Sequence, residues 1–313
     1  MASSNLSLDY VDFLRALTRE VGSGDVYASG TVSVSGTTAT VVGGSFPAWA
    51  TESSLNIDGT YYNVTARPTT TTLTLAETVT ISAKRYALVR SMDETFSDTF
   101  EYLDKLINRG LRAFYFAPPL PRGEKIPDAS PHQWSFLNPV QSLTTVAGQR
   151  VYDLPDDFGQ TAQEFSARSG GSIVPIALIS HAQMQLIKTQ IAEEGSPKYV
   201  AIRPNASFDP TVGQRFQLVF APTPNTEYAI EYRYNVEPQA LNPTDRYPLG
   251  GAVHSETILA SILAQAEMDK NCEAGHRSID FARRLAASIK LDSDAAVAAE
   301  MTYALTPVEE GSY

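Results

Sequence analysis

Cysteine and basic residues are both scarce in this sequence, and each scarcity excludes a class of protein. Cys272 is the single cysteine among 313 residues, so no internal disulfide can form and we expect synthesis in a reducing compartment. The 24 lysines and arginines are outnumbered by 35 aspartates and glutamates, which gives a net charge of −11 at pH 7. A surface with this balance does not gather phosphates through counterion release, so tight nucleic-acid binding is not expected.

Long apolar runs are missing as well. No segment approaches the roughly 18 consecutive apolar residues of a membrane-spanning helix. The opening residues, MASSNLSLDYVDF, contain neither the basic region nor the apolar core of a secretion signal. We therefore predict synthesis in the cytoplasm and no membrane segment. The length allows two compact units that each bury a core, because domains commonly have about 100–200 residues.

The motifs of common catalytic and cofactor sites are also absent. The sequence contains no Gly-x-Ser-x-Gly elbow, no Gly-Lys-Ser/Thr phosphate loop and no Gly-x-Gly-x-x-Gly. Cys272 and His276 have a spacing that suits two metal ligands, but no second pair accompanies them, so we favour a half-buried thiol and a surface imidazole. Asp292 and Asp294 lack the glycine and distal glutamate of a calcium loop and are interpreted as a solvated helical face. We predict no enzyme activity, no cofactor and no metal.

Two adjacent carboxylates in YDLPDDFG pose the main question about chemistry. Neighbouring residues of an extended segment point to opposite faces, so Asp156 and Asp157 seldom converge on one substrate atom. Pro155 fixes φ for a turn, and aspartates accept hydrogen bonds from nearby backbone amides. We interpret the segment as a turn rather than a catalytic pair. Its apolar anchors are predicted to be Tyr152, Leu154 and Phe158.

Apolar periodicity predicts helices at both ends of the chain. One covers residues 8–21, with Ser7 as the N-cap and Gly22 at the end. A second covers residues 93–115, where an apolar residue recurs every three or four positions. The last third is predicted to be helical from Val253 to about Met301, with Gly275 separating or kinking two segments.

The segment between the first two helices has a different composition. Residues 30–80 include fourteen threonines and four charged side chains. Short alternating runs there are interrupted by turn signals about every ten residues, which is typical of a small antiparallel sandwich or barrel. We place this inserted domain at residues 25–84.

The middle third is predicted to be rich in β-hairpins, over about residues 134–240. QSLTTVAGQRVYDLP indicates a strand, an Ala-Gly turn and a second strand. RFQLVFAPTPNTEYAIEYRYNVEP indicates a longer hairpin, and between them Ser180 caps a predicted helix. In this hairpin three apolar residues oppose three others, namely Phe216, Leu218 and Phe220 against Ile230, Tyr232 and Tyr234.

The predicted fold class is therefore α+β. Residues 1–24 and 85–313 form the core, in which a helical bundle is built from the N-terminal, middle and long C-terminal helices. The β-hairpin-rich region lies in its centre, and residues 25–84 form the inserted small all-β sandwich or barrel. Residues 302–313 form an extended C-terminal tail.

Several phrases, in a fixed order, resemble a known family. They are SLTTVAGQRVYDLPDDFG, PKYVAIRP, GQRFQLVFAPTPNTEYAIEYRYNVEP, DRYPLGGAVHSE and ILAQAE, and the likeness covers about residues 96–289 plus the first helix. The sequence is similar to the head-to-tail adaptor proteins of tailed bacteriophages, also called head completion or connector proteins. The resemblance implies a structural virion protein at the head–tail interface, made in the host cytoplasm.

The resemblance also implies a set of partners. Copies of the chain are expected to form a ring, usually of about twelve, beneath the portal protein. A tail tube, nozzle or tail-completion protein is expected below the ring, and DNA is expected to pass transiently through its centre without specific binding. The alternative is a virion protein that binds the host or a glycan through the inserted domain, using Trp49, Tyr61 and Tyr62 as an aromatic platform.

The C-terminal tail is predicted to dock onto the portal. Pro307 and Gly311 keep it from extending the preceding helix, yet it holds apolar residues that a purely solvating tail does not need. The resemblance implies that such an extension grips the portal. The alternative is an ordinary loose terminus. The candidate docking residues are Tyr303, Leu305, Val308 and Tyr313.

Overall fold

The computed structural model describes residues 6–22, 24–90, 96–116, 131–169, 172–190, 193–206 and 213–304. Helices and strands are both abundant in these ranges, so the predicted α+β class is confirmed. The chain divides into two compact units, one made of Met1–Trp134 with Ala240–Tyr313 and the other of Ser135–Gln239. None of the helices in the described ranges is long and apolar enough to cross a membrane.

The elements are numbered in chain order. The helices are α1 (Tyr10–Val21), α2 (Phe96–Tyr115), α3 (His181–Gln190), α4 (Gly251–Asn271) and α5 (His276–Ala304). The strands of the first unit are β1 (Val26–Tyr27), β2 (Thr31–Val42), β3 (Ser53–Ile57), β4 (Thr60–Ala66), β5 (Thr72–Lys84) and β6 (Tyr86–Arg90). Those of the second unit are β7 (Val140–Thr144), β8 (Val151–Asp153), β9 (Phe158–Ser169), β10 (Ser172–Pro175), β11 (Ala177–Leu178), β12 (Tyr199–Pro204), β13 (Phe216–Ala221) and β14 (Ala229–Val236).

Helix α1 begins two residues later than the sequence suggests. Its N-cap is Asp9 and not Ser7, because the Asp9 carboxylate accepts hydrogen bonds from the amides of Val11 at 2.9 Å and Asp12 at 3.1 Å. The Asp12 carboxylate accepts in return from the Asp9 amide at 3.3 Å, which completes a capping box. The helix ends as predicted at Gly22, whose φ of 78° suits the left-handed C-cap.

Helices α2 and α4 of the first unit cross closely at a glycine. A Cβ atom added to Gly110 lies 2.6 Å from the Cα atom of Ile262, a distance that real contacts do not reach. The Ser261 hydroxyl next to it donates to the Gly110 carbonyl oxygen at 2.7 Å. The absence of a side chain at position 110 therefore sets how near the two backbones come.

The carboxylate of Glu267 on α4 binds the backbone amides at the start of α5. Glu267 accepts hydrogen bonds from the amides of Gly275 at 3.0 Å, Arg277 at 3.2 Å and Ser278 at 3.0 Å. These are the first amides of α5, which have no partner inside the helix. The two helices are thus separated at Gly275, as the sequence predicts, and are held together by a side chain of α4.

The six strands of the first unit form one antiparallel sheet in the order β1-β6-β3-β4-β5-β2. Alternation places apolar side chains inward: Leu73 and Leu75 are buried, whereas Thr72 and Thr74 remain partly exposed. The sheet includes β6, which lies beyond the predicted end of the inserted segment at residue 84. Strand β6 belongs to it because it pairs with both β1 and β3.

The second unit consists of two four-stranded sheets and α3. One sheet has the order β10-β9-β14-β7 and the other β11-β12-β13-β8. Neither predicted hairpin is present, because β7 and β8 lie in different sheets and so do β13 and β14. The alternating residues of β13 and β14 instead contribute to one shared apolar core, which satisfies the inward faces of both strands. The hairpin pairs that do occur are β9 with β10 and β12 with β13.

Helix α3 has the N-cap that the sequence predicts. The Ser180 hydroxyl accepts from the Gln183 amide at 3.2 Å, and the Gln183 side chain accepts from the Ser180 amide at 3.1 Å. This is the reciprocal pattern of a capping box. Met184 is the buried residue of the helix and packs on β12 and β13 residues.

We expect Gly110→Ala to lower the free energy of unfolding by about 1–3 kcal/mol, because the new methyl group overpacks the α2–α4 crossing. Helix propensity alone would raise the free energy of unfolding by about 1 kcal/mol for this change. A decrease can therefore be assigned to the close contact between the two helices. Urea unfolding measures it. The control is Gly195→Ala, where an added Cβ meets its nearest atom at 4.0 Å. Unchanged or increased stability of Gly110→Ala contradicts the prediction.

Candidate functional site

A buried carboxylate on α2, that of Asp104, connects α1, α2 and the six-stranded sheet. The phenol groups of Tyr10 on α1 and Tyr61 on β4 both donate hydrogen bonds to it. The side-chain amide of Asn56 on β3 donates to Oδ2 at 3.1 Å. Asp104 is only 7% exposed. An ionised carboxylate accepts several hydrogen bonds at once, so a single side chain satisfies three donors.

Burial shifts the titration of this cluster. It raises the pKa of Asp104 to about 6, against the hydrogen bonds from Tyr10, Tyr61 and Asn56, which lower it. Burial and the nearby Asp104 charge raise the pKa of Tyr10 and of Tyr61 above the usual range. Both phenols therefore remain donors at neutral pH, where Asp104 is ionised.

The connections continue from Asp104 toward the segment that precedes α4. The Asn108 side-chain amide donates to the Asp104 carbonyl oxygen at 3.0 Å, and its Oδ1 accepts from the Leu241 amide at 3.1 Å. The Arg246 guanidinium forms an ion pair with the N-cap residue Asp9. Residues from four separate parts of the first unit are thus held by polar contacts to one another.

An open cleft of about 700 Å³ lies beside Asp104 along α2. Within it, the Asp269 carboxylate accepts from the Tyr102 phenol at 2.7 Å and from the Arg109 guanidinium at 3.0 Å. These hydrogen bonds lower the pKa of Asp269. The Lys105 ammonium pairs with Glu101 at 2.7 Å. The charges of Asp269 and Arg109 and those of Lys105 and Glu101 are therefore paired within the cleft.

A second polar contact is buried at α5. His132 Nε2 lies 2.8 Å from Asp292 Oδ2, and Asp292 is only 5% exposed. The prediction that Asp292 lies on a solvated face is therefore wrong. Asp292 shares a helical face with Leu285 and Ser288, which are also buried, because residues three or four positions apart lie above one another on a helix.

The indole of Trp134 covers this contact. Its ring centroid lies 4.7 Å from that of His132 in an edge-on arrangement and 4.6 Å from that of Phe114 in a stacked one. The indole N–H donates to the Tyr115 carbonyl oxygen at 3.2 Å. His132 and Trp134 thus attach the chain after residue 131 to the end of α2 and to the middle of α5.

The predicted turn residues lie between β8 and β9. The Phe158 amide donates to the Pro155 carbonyl oxygen at 3.1 Å, which closes a four-residue turn around the two aspartates. Tyr152, Leu154 and Phe158 are all buried in the apolar core of the second unit.

Each aspartate has a different side-chain partner. Asp156 is exposed and forms an ion pair with Arg215. Asp157 Oδ1 accepts from the Tyr234 phenol at 3.0 Å. The backbone carbonyl oxygen of Asp157 accepts from the Glu237 amide at 2.6 Å. The turn is thus fastened to β13 and to the end of β14.

From the sequence, Cys272 and His276 are predicted to be a half-buried thiol and a surface imidazole. The imidazole is exposed as predicted, but the thiol is exposed rather than half-buried, because Cys272 ends α4 with a φ of 55° while His276 begins α5. Among the residues that the structure describes, no group of three His, Cys, Asp or Glu is placed to hold a metal ion. Helix α5 continues through Tyr303 to Ala304, past the predicted end near Met301. Leu305, Val308 and Tyr313 lie outside the described residues.

We expect Asp104→Asn to change how stability depends on pH. A carboxyl whose pKa is raised on folding contributes stability below its unfolded pKa of about 4, and that stability is lost as pH rises through the folded pKa of about 6. The loss amounts to about 3 kcal/mol, and it is absent in the variant. Relative to wild type, Asp104→Asn therefore gains about 3 kcal/mol between pH 4 and pH 7.

Urea unfolding at a series of pH values measures this difference. Asp294→Asn, which removes an exposed carboxylate of α5 remote from this cluster, is the control and should follow the wild-type pH dependence. A difference between Asp104→Asn and wild type that does not vary with pH contradicts the assignment.

The double variant Asp156→Asn, Asp157→Asn should change the free energy of unfolding by no more than about 1 kcal/mol. The amide oxygen that replaces the Asp157 carboxylate still accepts from Tyr234, and the ion pair of the exposed Asp156 contributes little. Asp157→Ala is the contrasting variant, because it removes the acceptor. A double variant that folds normally but loses a chemical activity of the wild type contradicts the turn interpretation.

Comparison with protein-family models gives a match over most of the chain. A search of curated proteins finds no match. The family model described as SU10 adaptor protein matches residues 73–307, which include β6, all helices after α1 and the whole second unit. The match covers far more than half of the chain. The chain belongs to the SU10 adaptor protein family, and this membership identifies it as a phage structural adaptor.

Proposed function

We propose that the protein is a head-to-tail adaptor, whose copies form a ring that joins the portal to the tail and lets DNA pass through its centre. The family match over residues 73–307 is the observation that carries this proposal. The order of the sequence phrases that resemble head-to-tail adaptors is consistent with it. In this role the chain binds copies of itself, the portal above and a tail tube, nozzle or tail-completion protein below.

The charge of the protein is compatible with DNA transit. A net charge of −11 repels phosphates and leaves few sites where a passing duplex would be retained. Transit requires the opposite of the basic, counterion-releasing surface that characterises DNA-binding proteins. The passage of DNA is therefore proposed to be transient and independent of sequence.

The proposed architecture is a helical bundle of α1, α2, α4 and α5 that carries an inserted β domain. Two observations support it. The bundle helices approach one another closely, as at Gly110, and Asp104 joins α2 to β3 and β4 through Asn56 and Tyr61. In this arrangement the β domain is attached through polar contacts as well as through the chain at both of its ends.

Binding of a host or glycan through the inserted domain is less well supported. Trp49 and Tyr62 are partly buried and pack against the apolar core of that domain. The Tyr61 phenol donates to Asp104, and its ring meets that of Phe100 at 5.4 Å. These three aromatic residues are used in packing, whereas a glycan platform needs exposed ring faces. The adaptor function is therefore the better supported of the two.

Electron microscopy of the purified protein with and without its portal tests the proposal. We expect rings that stack coaxially on the portal and leave a central opening. Binding of the isolated chain to host cells or glycans, without any association with portal, contradicts it. The double variant of the turn aspartates serves as a folded control that should assemble like wild type.

Truncation after Ala304 should weaken attachment to the portal while sparing the fold. It leaves α5 complete and removes Leu305, Val308 and Tyr313, apolar residues that an extended segment can place in pockets while its backbone adds to a sheet edge. Co-sedimentation of truncated and full-length protein with portal measures the effect, and circular dichroism checks the fold. Equal recovery of both proteins eliminates the docking role of the tail.

A further inference from the structure

One sheet of the second unit has exposed strands at both of its edges. In the order β10-β9-β14-β7, the described residues of β7 and β10 each pair with a single neighbour. Strand β7, VQSLT, contains no charge and no proline, and four of its five residues are exposed. On β10, Ile173 is 65% exposed and Val174 is 43% exposed. Uncharged, exposed edges of this kind are templates for another strand.

The register of β7 defines which backbone groups point outward. The Thr145 amide donates to the Tyr228 carbonyl oxygen at 3.0 Å. Hydrogen-bonded pairs alternate along an antiparallel ladder, so Leu143 bonds toward β14. The backbone groups of Ser142 and Thr144 therefore point away from the sheet.

The same reasoning applies to β10 at the other edge. The Ile176 amide donates to the Phe165 carbonyl oxygen at 2.8 Å, and Val174 is two residues along the ladder, so it bonds toward β9. The backbone groups of Ile173 and Pro175 consequently point outward. Ile173 offers a donor and an acceptor, and Pro175 offers an acceptor.

An apolar row crosses the whole sheet and continues to both edges. Val174, Ala167, Ile230 and Leu143 are successive partners across the four strands. Ala167 and Ile230 are fully buried, whereas Leu143 is half-buried and Val174 is 43% exposed. The core row thus ends at each edge with an apolar side chain that is only partly covered.

Strand direction allows the two edges to fit each other. The three pairings in this sheet are all antiparallel, so β7 and β10 run in opposite directions. If a second copy is displaced within the plane of the sheet, perpendicular to the strands, its β10 lies beside β7 of the first copy and antiparallel to it. Without any shift of rows, Thr144 meets Ile173, Leu143 meets Val174 and Ser142 meets Pro175. The outward-pointing groups of both strands then fall in the same rows.

We propose that β7 of one copy pairs antiparallel with β10 of the next copy in this register. This inference rests on the proposed ring and assigns one of its interfaces. A head-to-tail contact between different surfaces generates a ring when its rotation closes. Four strands spaced about 4.8 Å apart add roughly 19 Å per copy, so about twelve copies enclose a circle roughly 70 Å across, which is wide enough for a DNA duplex.

Cysteine cross-linking tests the pairing. The variant carries Thr144→Cys and Ile173→Cys, with Cys272→Ser to remove the native thiol. The Cβ atoms of a directly opposed antiparallel pair lie about 4.5–5.5 Å apart, a distance that a short thiol-reactive bismaleimide spans. On rings assembled with portal, treatment with this cross-linker should give a ladder of covalently linked oligomers that extends to the ring size. A mixture of the two single-cysteine variants should give dimers alone, and each single variant should give none.

A backbone variant provides a second measurement. Ser142→Pro removes an outward amide donor without removing a bond to β14, and proline is tolerated on edge strands. It should lower the yield of rings by about tenfold or more, while Ser142→Ala, which keeps the amide, should assemble like wild type. Urea unfolding of both variants confirms that the fold is retained.

The outcomes separate this inference from the function on which it rests. Rings that form without the cross-linked ladder, or with full yield for Ser142→Pro, contradict the strand pairing and leave the adaptor function standing. Dimers from Thr144→Cys alone indicate that β7 of one copy pairs with β7 of another. A cross-link to the portal protein indicates that the portal, and not a second copy, covers the strand edge. Either result overturns the proposal. Failure of the wild-type protein to form rings with portal contradicts the adaptor function itself.

Discussion

A single buried charge, the Asp104 carboxylate, determines how the threonine-rich sheet is attached to the helices. Its three donors are far away in sequence, with Tyr10 separated by 94 residues, Asn56 by 48 and Tyr61 by 43. A buried carboxylate is costly unless it is fully hydrogen-bonded, so these donors must arrive together. Apolar packing tolerates many orientations, whereas three directed hydrogen bonds to one group admit few. The sheet is consequently fixed in orientation as well as in position.

Helices are more predictable from this sequence than strand pairing. Periodicity locates α1 and α2, the Ser180 cap locates α3, and glycine locates the interruption between α4 and α5, because these features are local. The alternation in β13 and β14 identifies their inward faces correctly, since both contribute to one core. The alternation does not identify their partners. A period of two specifies which face of a strand is buried, but two strands that share a core can be neighbours in one sheet or can lie in two sheets packed face to face.

The polar sites illustrate the same limit. Asp104 falls among the apolar residues Phe100, Leu103 and Ile107 on the buried face of α2, and a carboxylate at such a position is a sequence signal of a buried donor. The position of Asp104 does not indicate which donors bind to its carboxylate. His132 and Asp292 give no comparable indication, because they lie 160 residues apart and neither belongs to a recognisable motif. Family membership is accessible through the order of several phrases in the sequence.

The carboxylate of Glu267 has a mechanical consequence. Three amides at the start of α5 bond to it, and a Cβ atom at Gly275 would lie 2.5 Å from Glu267 Oε1, so a larger residue there displaces the carboxylate. Helix α5 has 29 residues and is therefore about 43 Å long. Three directed hydrogen bonds at this connection oppose a change in the angle between α4 and α5, so we expect the two helices to move together rather than independently.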